Sequence, residues 1–261
     1  MLDDATIQTH AELLDGALLA RRELPPLEKT YGAFALADGY RIQAAGLTRR
    51  LGRGETVCGY KMGFTSEAKR RQMNLGAPIC GVLTAQMALG DGGTLPVTSG
   101  VHPKAEPEIF FVTARELRGQ VSLDEAAAAV SQVGAAIEVL DSRFAGFQYF
   151  SLPDVVADNC SAWRFVLASR TRPLPGLAVD ALRMRMFIDG LLAAEASSAA
   201  ISGDPLLSLV QLCALLAGTG RPLPAGSLVL AGAATAAVAL RPGMEVRLEV
   251  EGLFPVSLRA S

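Results

Sequence analysis

The chain has 261 residues, half of them hydrophobic, enough for one large domain with a substantial core. Lys and Arg total 24 against 26 Asp and Glu, so the basic excess of an electrostatic nucleic-acid binder is missing. The most apolar late stretch, Ser227–Leu240, runs 14 residues, short of the roughly 20 that a membrane span needs, and the first residues carry acids where a signal peptide has a basic region.

A soluble, cytoplasmic protein is therefore expected, with neither a nucleic acid nor a membrane as partner. Cys58, Cys80, Cys160 and Cys213 are scattered without metal-ligand spacing and read as reduced thiols. In chain order, residues 5–22 have helical periodicity, with Ile7, Leu13, Leu14, Leu18 and Leu19 on one face. RELPPLEKTYG is a proline-containing connector. A second helix is predicted from Leu36 to Leu51, ended by Gly52 and Gly54. TVCGYKMGF reads as a strand, and SEAKRRQMNL as a helix with Ser66 as N-cap and Glu67 in its first turn.

From about Gly81 short apolar runs alternate with Gly, Pro and Asp turns, which predicts strands in GVLTAQMAL, TLPV and EIFFVTARELRG. Ser122–Gly134 is alanine-rich and predicts a helix. AAIEVLDSRF reads as a buried strand. RFVLASRTRPL is a further strand, and ALRMRMFIDGLLAAEAS a hairpin turning at Asp189-Gly190. Asp204–Gly220 predicts a helix ending at glycine. The tail reads as three strands with turns at Pro242-Gly243 and Glu251-Gly252. The expectation is a single α+β domain, helical over about residues 1–75 and β-rich over about 76–261.

The chemistry concentrates where acids interrupt apolar strands. Glu106 and Glu108, in HPKAEPEIFF, are two residues apart and point to one side of a strand. Neighbouring carboxylates repel unless a proton or a cation lies between them. Glu138 sits among apolar residues in AAIEVL, and a lone buried carboxylate is costly. A divalent cation satisfies all three, and three hard oxygen ligands suit Mg²⁺ or Mn²⁺. The competing reading is a solvated strand face for the pair and an edge position for Glu138. Only two histidines are present, which disfavours a His-rich zinc site. Lys61, in VCGYKMGF, is either a snorkelling surface lysine or a cation held in a pocket.

GYKMGFTSEAKRRQM, HPKAEPEI, EVLDSRF and VVADNCSAWRF together resemble the 2-keto-4-pentenoate hydratase and 4-oxalocrotonate decarboxylase family, within the fumarylacetoacetase-fold group. The likeness runs from about Pro25 to the C-terminus. It implies a mixed β-roll or sandwich core of the fumarylacetoacetase C-terminal type carrying N-terminal helices. It implies Mg²⁺ or Mn²⁺ on Glu106, Glu108 and Glu138, and an active-site lysine at Lys61. The cation then acts as a Lewis acid on a small-molecule 2-keto acid. Pro107, unable to donate to a sheet ladder, suggests that the glutamates lie on a strand edge or bulge.

The resemblance leaves two activities. A decarboxylase converts 2-oxo-3-hexenedioate to 2-hydroxypenta-2,4-dienoate and CO₂, in aromatic-compound meta-cleavage catabolism. A hydratase adds water to that dienol. Hydratases of the family carry an acid in a PDxG segment. Here it reads Pro78-Ile79-Cys80-Gly81, which favours decarboxylation. Among Lys61, Lys104, Arg143 and Arg164, Lys61 is expected to meet substrate, while the others pair with the glutamates or lie at the surface. Ser161 and Thr235 are candidate substrate-binding residues, Ser161 being equally a turn residue, as are Asp158 and Asn159. The family's GG-T and GHP segments are altered to Gly232-Ala233-Ala234-Thr235 and Gly203-Asp204-Pro205, which suggests a divergent member. A homo-oligomer is expected, with a complex with a cognate hydratase or decarboxylase as a further expectation. A non-catalytic partner protein and fumarylacetoacetase-like C–C hydrolysis are the remaining alternatives. The first conflicts with retention of the three glutamates and Lys61, the second with the want of a histidine in catalytic context.

Overall fold

The computed structural model describes residues 1–65, 78–147 and 151–261. The helix predicted in SEAKRRQMNL lies outside them. Three helices open the chain: α1 (Asp4–Ala20), a short α2 (Leu27–Tyr31) and α3 (Leu36–Gly52). The strands and helices that follow are β1 (Val57–Gly63), β2 (Ile79–Thr84), β3 (Ala88–Leu89), β4 (Gly93–Leu95), β5 (Lys104–Thr113), α4 (Leu123–Ala128), β6 (Val130–Leu140), α5 (Leu152–Ala157) and β7 (Ala162–Leu167). Then come β8 (Arg183–Ile188), β9 (Leu191–Ser197), α6 (Leu207–Ala217), β10 (Leu228–Leu230), β11 (Val238–Ala239), β12 (Glu245–Val250) and β13 (Val256–Ala260).

The larger sheet runs β2-β1-β10-β5-β6-β7-β3, with β11 paired to β5, and the smaller runs β4-β13-β12-β8-β9. This is the expected α+β fold with mixed sheets and N-terminal helices. Both faces of β5 are covered. Ala105, Ile109 and Phe111 join the main core with Met184, Met186, Val246 and Leu248 of the smaller sheet. Phe110 faces the other way, into a second apolar cluster with Leu83, Met87, Ala136, Phe165 and Leu230. Alternation places Glu106 and Glu108 on the Phe110 side, so the acids continue a row that is apolar further along.

Several local predictions are corrected. The alanine-rich stretch is helical only to Ala128, from an Ser122 cap whose hydroxyl accepts from the Glu125 N–H while the Glu125 carboxylate accepts from the Ser122 N–H. From Val130 the chain is strand: Val130-Ser131-Gln132-Val133-Gly134 has no alanine, holds helix propensity weakly and pairs with β5 up to Thr113. The proline connector contains α2. Leu19 is exposed on α1, whose buried face carries His10 and Asp15 beside Ile7 and Leu14. Helix α5, in SLPDVVA, was not anticipated; Ser151 caps it, accepting from the Asp154 N–H. The Asp189-Gly190 hairpin is present, with positive φ at both residues as a primed two-residue turn requires.

β5 is an interior strand, not an edge. Its partner on the Pro107 side is split: β10 pairs as far as Leu230↔Phe110, and β11 resumes at Val238↔Ala105. The connecting residues arch away opposite Pro107, whose carbonyl still accepts from the Ala234 N–H. The proline's missing donor falls in this gap, so the bulge belongs to the partner chain segment.

Candidate active site

Strand register brings the acids together. Glu106 on β5 lies opposite Glu138 on β6, and Glu108 points to the same side two residues on. One carboxylate oxygen from each of the three lies within 4.8 Å of the others. Glu108 and Glu138 are fully enclosed, while Glu106 is half-buried. Glu108 Oε2 accepts from the Gly232 N–H at 2.8 Å. Among the described residues, Glu108 Oε1 and both oxygens of Glu138 have no hydrogen-bond partner.

Lys61 enters from β1. It is buried, its Nζ 3.0 Å from Glu138 Oε2 and donating to the Cys160 carbonyl at 3.4 Å. The contact with Glu138 is an ion pair between two buried groups. Burial opposes the ammonium charge, but Glu138 and Glu108 outweigh it and hold Lys61 above its ordinary pKa. Lys61 is therefore a buried pocket cation, not a snorkelling one. Burial, reinforced by Glu138, pushes the Glu108 carboxyl well above the usual carboxylate range. Three carboxylates against one ammonium leave an excess of negative charge among enclosed oxygens. That donor set, hard, anionic and converging, fits a divalent cation of the Mg²⁺ or Mn²⁺ type.

The cluster opens on a cavity of about 120 Å³. Lys61 and Glu106 line it on the polar side, and Met62, Ile79, Leu140, Val155 and Ala233 on the apolar side, with Cys160 between. Ile79, the position where an acid was found missing, faces this space. Gly232 keeps a left-handed backbone, φ 112°, and a Cβ there would collide with the Thr65 side chain. The alanine that replaces the next glycine lines the cavity.

Ser161 is buried directly after Cys160. Asn159, Cys160 and Ser161 all have φ near +50°, a run of strained non-glycine residues. Thr235 stands two residues beyond Ala233, half-buried, with its hydroxyl donating to the Ala236 carbonyl at 3.3 Å. The structure thus gathers Lys61 and the three glutamates, while neither Ser161, next to Cys160, nor Thr235, two residues beyond Ala233, is among the residues that line the cavity.

Of the other cations, Arg143 departs from expectation, while Lys104 is within electrostatic reach of Glu106. Arg143 is buried against Asp158, not a glutamate, and also donates to the carbonyls of Asp141 at 2.5 Å and Asp158 at 2.6 Å. Burial pushes the Asp158 carboxyl up to about 6 although Arg143 works against the rise. Asp158 is thus no mere turn residue. Lys104 lies 3.9 Å from the centre of the Phe147 ring, and Arg164 stacks on Trp163. Sequence reasoning missed three participants: the Gly232 N–H, the Cys160 carbonyl and Thr65. The two backbone groups carry no side-chain signal. Thr65 does follow KMGF directly, the one clue available.

Residues 54–259 match the fumarylacetoacetate (FAA) hydrolase C-terminal family. Over 247 residues the chain is 43% identical to a 4-oxalocrotonate decarboxylase from a Pseudomonas species, covering 95% of each protein. It is 35% identical to a 2-keto-4-pentenoate hydratase from Paraburkholderia phymatum, covering 100% of this chain and 99% of that one. The solved 4-oxalocrotonate decarboxylase of Pseudomonas putida G7, complexed with magnesium and adipate, superposes with a TM-score of 0.97 at 34% identity, over 100% of this chain and 99% of that one. The chain belongs to the fumarylacetoacetate hydrolase C-terminal family.

Proposed function

We propose that this protein is a metal-dependent carboxy-lyase of a 2-keto dicarboxylic acid, converting 2-oxo-3-hexenedioate to 2-hydroxypenta-2,4-dienoate and CO₂. One observation carries the reading: three converging carboxylates and a buried lysine open on a cavity whose opposite wall, at Ile79, is apolar. The likeness to 4-oxalocrotonate decarboxylases supports it. Glu106, Glu108 and Glu138 hold Mg²⁺ or Mn²⁺, which supplies Lewis-acid polarisation of the 2-keto acid. That the P. putida G7 decarboxylase is complexed with magnesium and adipate, a six-carbon dicarboxylate, supports a divalent cation and a dicarboxylic substrate.

The residues of this chain supply the rest. Lys61 places a fixed positive charge beside the acids, where the 2-oxo oxygen of the substrate gains negative charge as the distal C–C bond breaks. The bonding pair moves through the conjugated chain to that oxygen, CO₂ leaves, and a proton on the oxygen completes the dienol. Met62, Ile79, Leu140 and Val155 keep water from the conjugated chain, and no side chain at position 79 activates water for addition. Ser161, next to the cavity-lining Cys160, and Thr235, two residues beyond the cavity-lining Ala233, are assigned to substrate binding in this reading. A homo-oligomer, and association with a cognate hydratase, belong to the same reading.

The test is incubation with Mg²⁺ and 2-oxo-3-hexenedioate, following CO₂ and the ultraviolet absorbance of the dienol, with the dienol itself supplied in parallel. CO₂ release that is lost in Glu106→Gln supports the decarboxylase. Dienol consumption without CO₂ release would make the protein a hydratase, the reading that the P. phymatum relative favours.

A further inference from the structure

The left-handed run Asn159–Ser161 aims the Cys160 carbonyl at Lys61, and one side chain holds the run in place. Asn159 Nδ2 donates to the Val82 carbonyl at 2.9 Å, and Asn159 Oδ1 accepts from the Val82 N–H at 2.8 Å. The amide thus acts as an extra strand residue on the free side of β2. Its own carbonyl presses on Gly81, where a Cβ would come within 2.6 Å of it and 3.2 Å of Lys61 Cδ. Gly81 pairs with Lys61 across β1 and β2. Lys61, Gly81, Val82, Asn159 and Cys160 are therefore locked as one unit, in which the Asn159 side chain fixes the loop to β2 through two hydrogen bonds and Lys61 reaches it from β1 through one.

We infer that Asn159 is a positioning residue for Lys61. Its two-point clamp on Val82 keeps the Cys160 carbonyl against Nζ. The ammonium is then held between that carbonyl and Glu138 and does not collapse onto the carboxylates that face the cation. The inference rests on the proposed role of Lys61, and it deepens that role.

The experiment has a readout independent of activity. Lysine-¹⁵N-labelled protein is examined by NMR for the buried ammonium of Lys61, assigned by its loss in Lys61→Arg. In Asn159→Ala and Asn159→Asp that signal is expected to shift or to exchange faster with water. The control is Gln43→Ala, which removes a more deeply buried amide, bonded to the Cys80 and Val156 carbonyls and not to the Asn159–Ser161 run. It should lower stability and leave the signal in place. With substrate, Asn159→Ala should lose about tenfold or more in kcat while KM stays within about twofold. An unchanged ammonium signal in both Asn159 variants, or equal changes in the Gln43 control, overturns the inference whatever the activity. A changed signal in a protein that turns over neither substrate keeps the clamp and discards the decarboxylase.

Discussion

Glu108 shows what the enclosed acids cost the protein without a cation. Its carboxyl is buried, faces Glu138, and has a pKa raised well above its ordinary value by that burial. A raised folded-state pKa contributes stability below the unfolded value, and the contribution is lost as pH rises through the folded one. At neutral pH the metal-free protein is therefore destabilised by holding these carboxylates together. Glu108→Gln is expected to raise the stability of the metal-free protein by on the order of 1 kcal/mol or more, since Oε1 of the amide can still accept from Gly232. The same variant should no longer respond to Mg²⁺. Denaturant unfolding in chelator and in Mg²⁺ checks both halves, and a metal-free Glu108→Gln protein weaker than wild type would contradict the account. The acid cluster was legible in the sequence because charge inside an apolar strand is conspicuous. The Cys160 carbonyl was not, because any residue supplies a carbonyl and only backbone conformation aims it.

Among the elements, α1 was legible as a helix but not in its buried face. Counting leucines placed Leu19 inward. Packing put His10 there instead, 4.8 Å from the Tyr31 ring and 6.2 Å from Phe34, in a slot built by α2 and the turn after it. Burial lowers the His10 pKa, although Asp154 pulls the other way, and among the described residues its Nδ1 has no hydrogen-bond partner. A lowered folded-state pKa gives stability that is present above the unfolded value near 6.5 and is lost as pH falls through the folded one. Docking of α1 should weaken as pH drops below about 6.5. His10→Gln should flatten that acid limb of melting temperature against pH, and an identical slope in the variant would show that His10 does not titrate on unfolding. Strand β6 teaches a similar lesson. The alanine run Ala126–Ala129 stays in α4 and its cap, and the Val-Ser-Gln-Val-Gly stretch that follows, a poor helix former, is free to pair with β5.

The whole molecule spends its architecture on one junction. β5 and β6 carry the acids, β1 the lysine, the loop before β7 the carbonyl and the arch after β10 the Gly232 N–H, so five separate stretches of chain meet over the cluster. A cation bound there ties strands of the larger sheet to one another and cancels repulsion between enclosed carboxylates, and it binds only the folded chain. Stability should then rise with free Mg²⁺ as RT ln(1 + [L]/Kd), about 2.7 kcal/mol at a hundred times Kd. Glu106→Gln tests whether the three-carboxylate cluster is the origin of that gain. Glu106 is the half-buried member, so its loss should leave the fold intact while reducing the Mg²⁺-dependent rise in melting temperature to a small fraction of the wild-type value. A titration in which Glu106→Gln keeps the full rise would place the stabilising cation elsewhere on the molecule. A titration in which neither protein responds would mean that Lys61 alone neutralises the acids, and the excess negative charge at the junction would then have to be held off by protons.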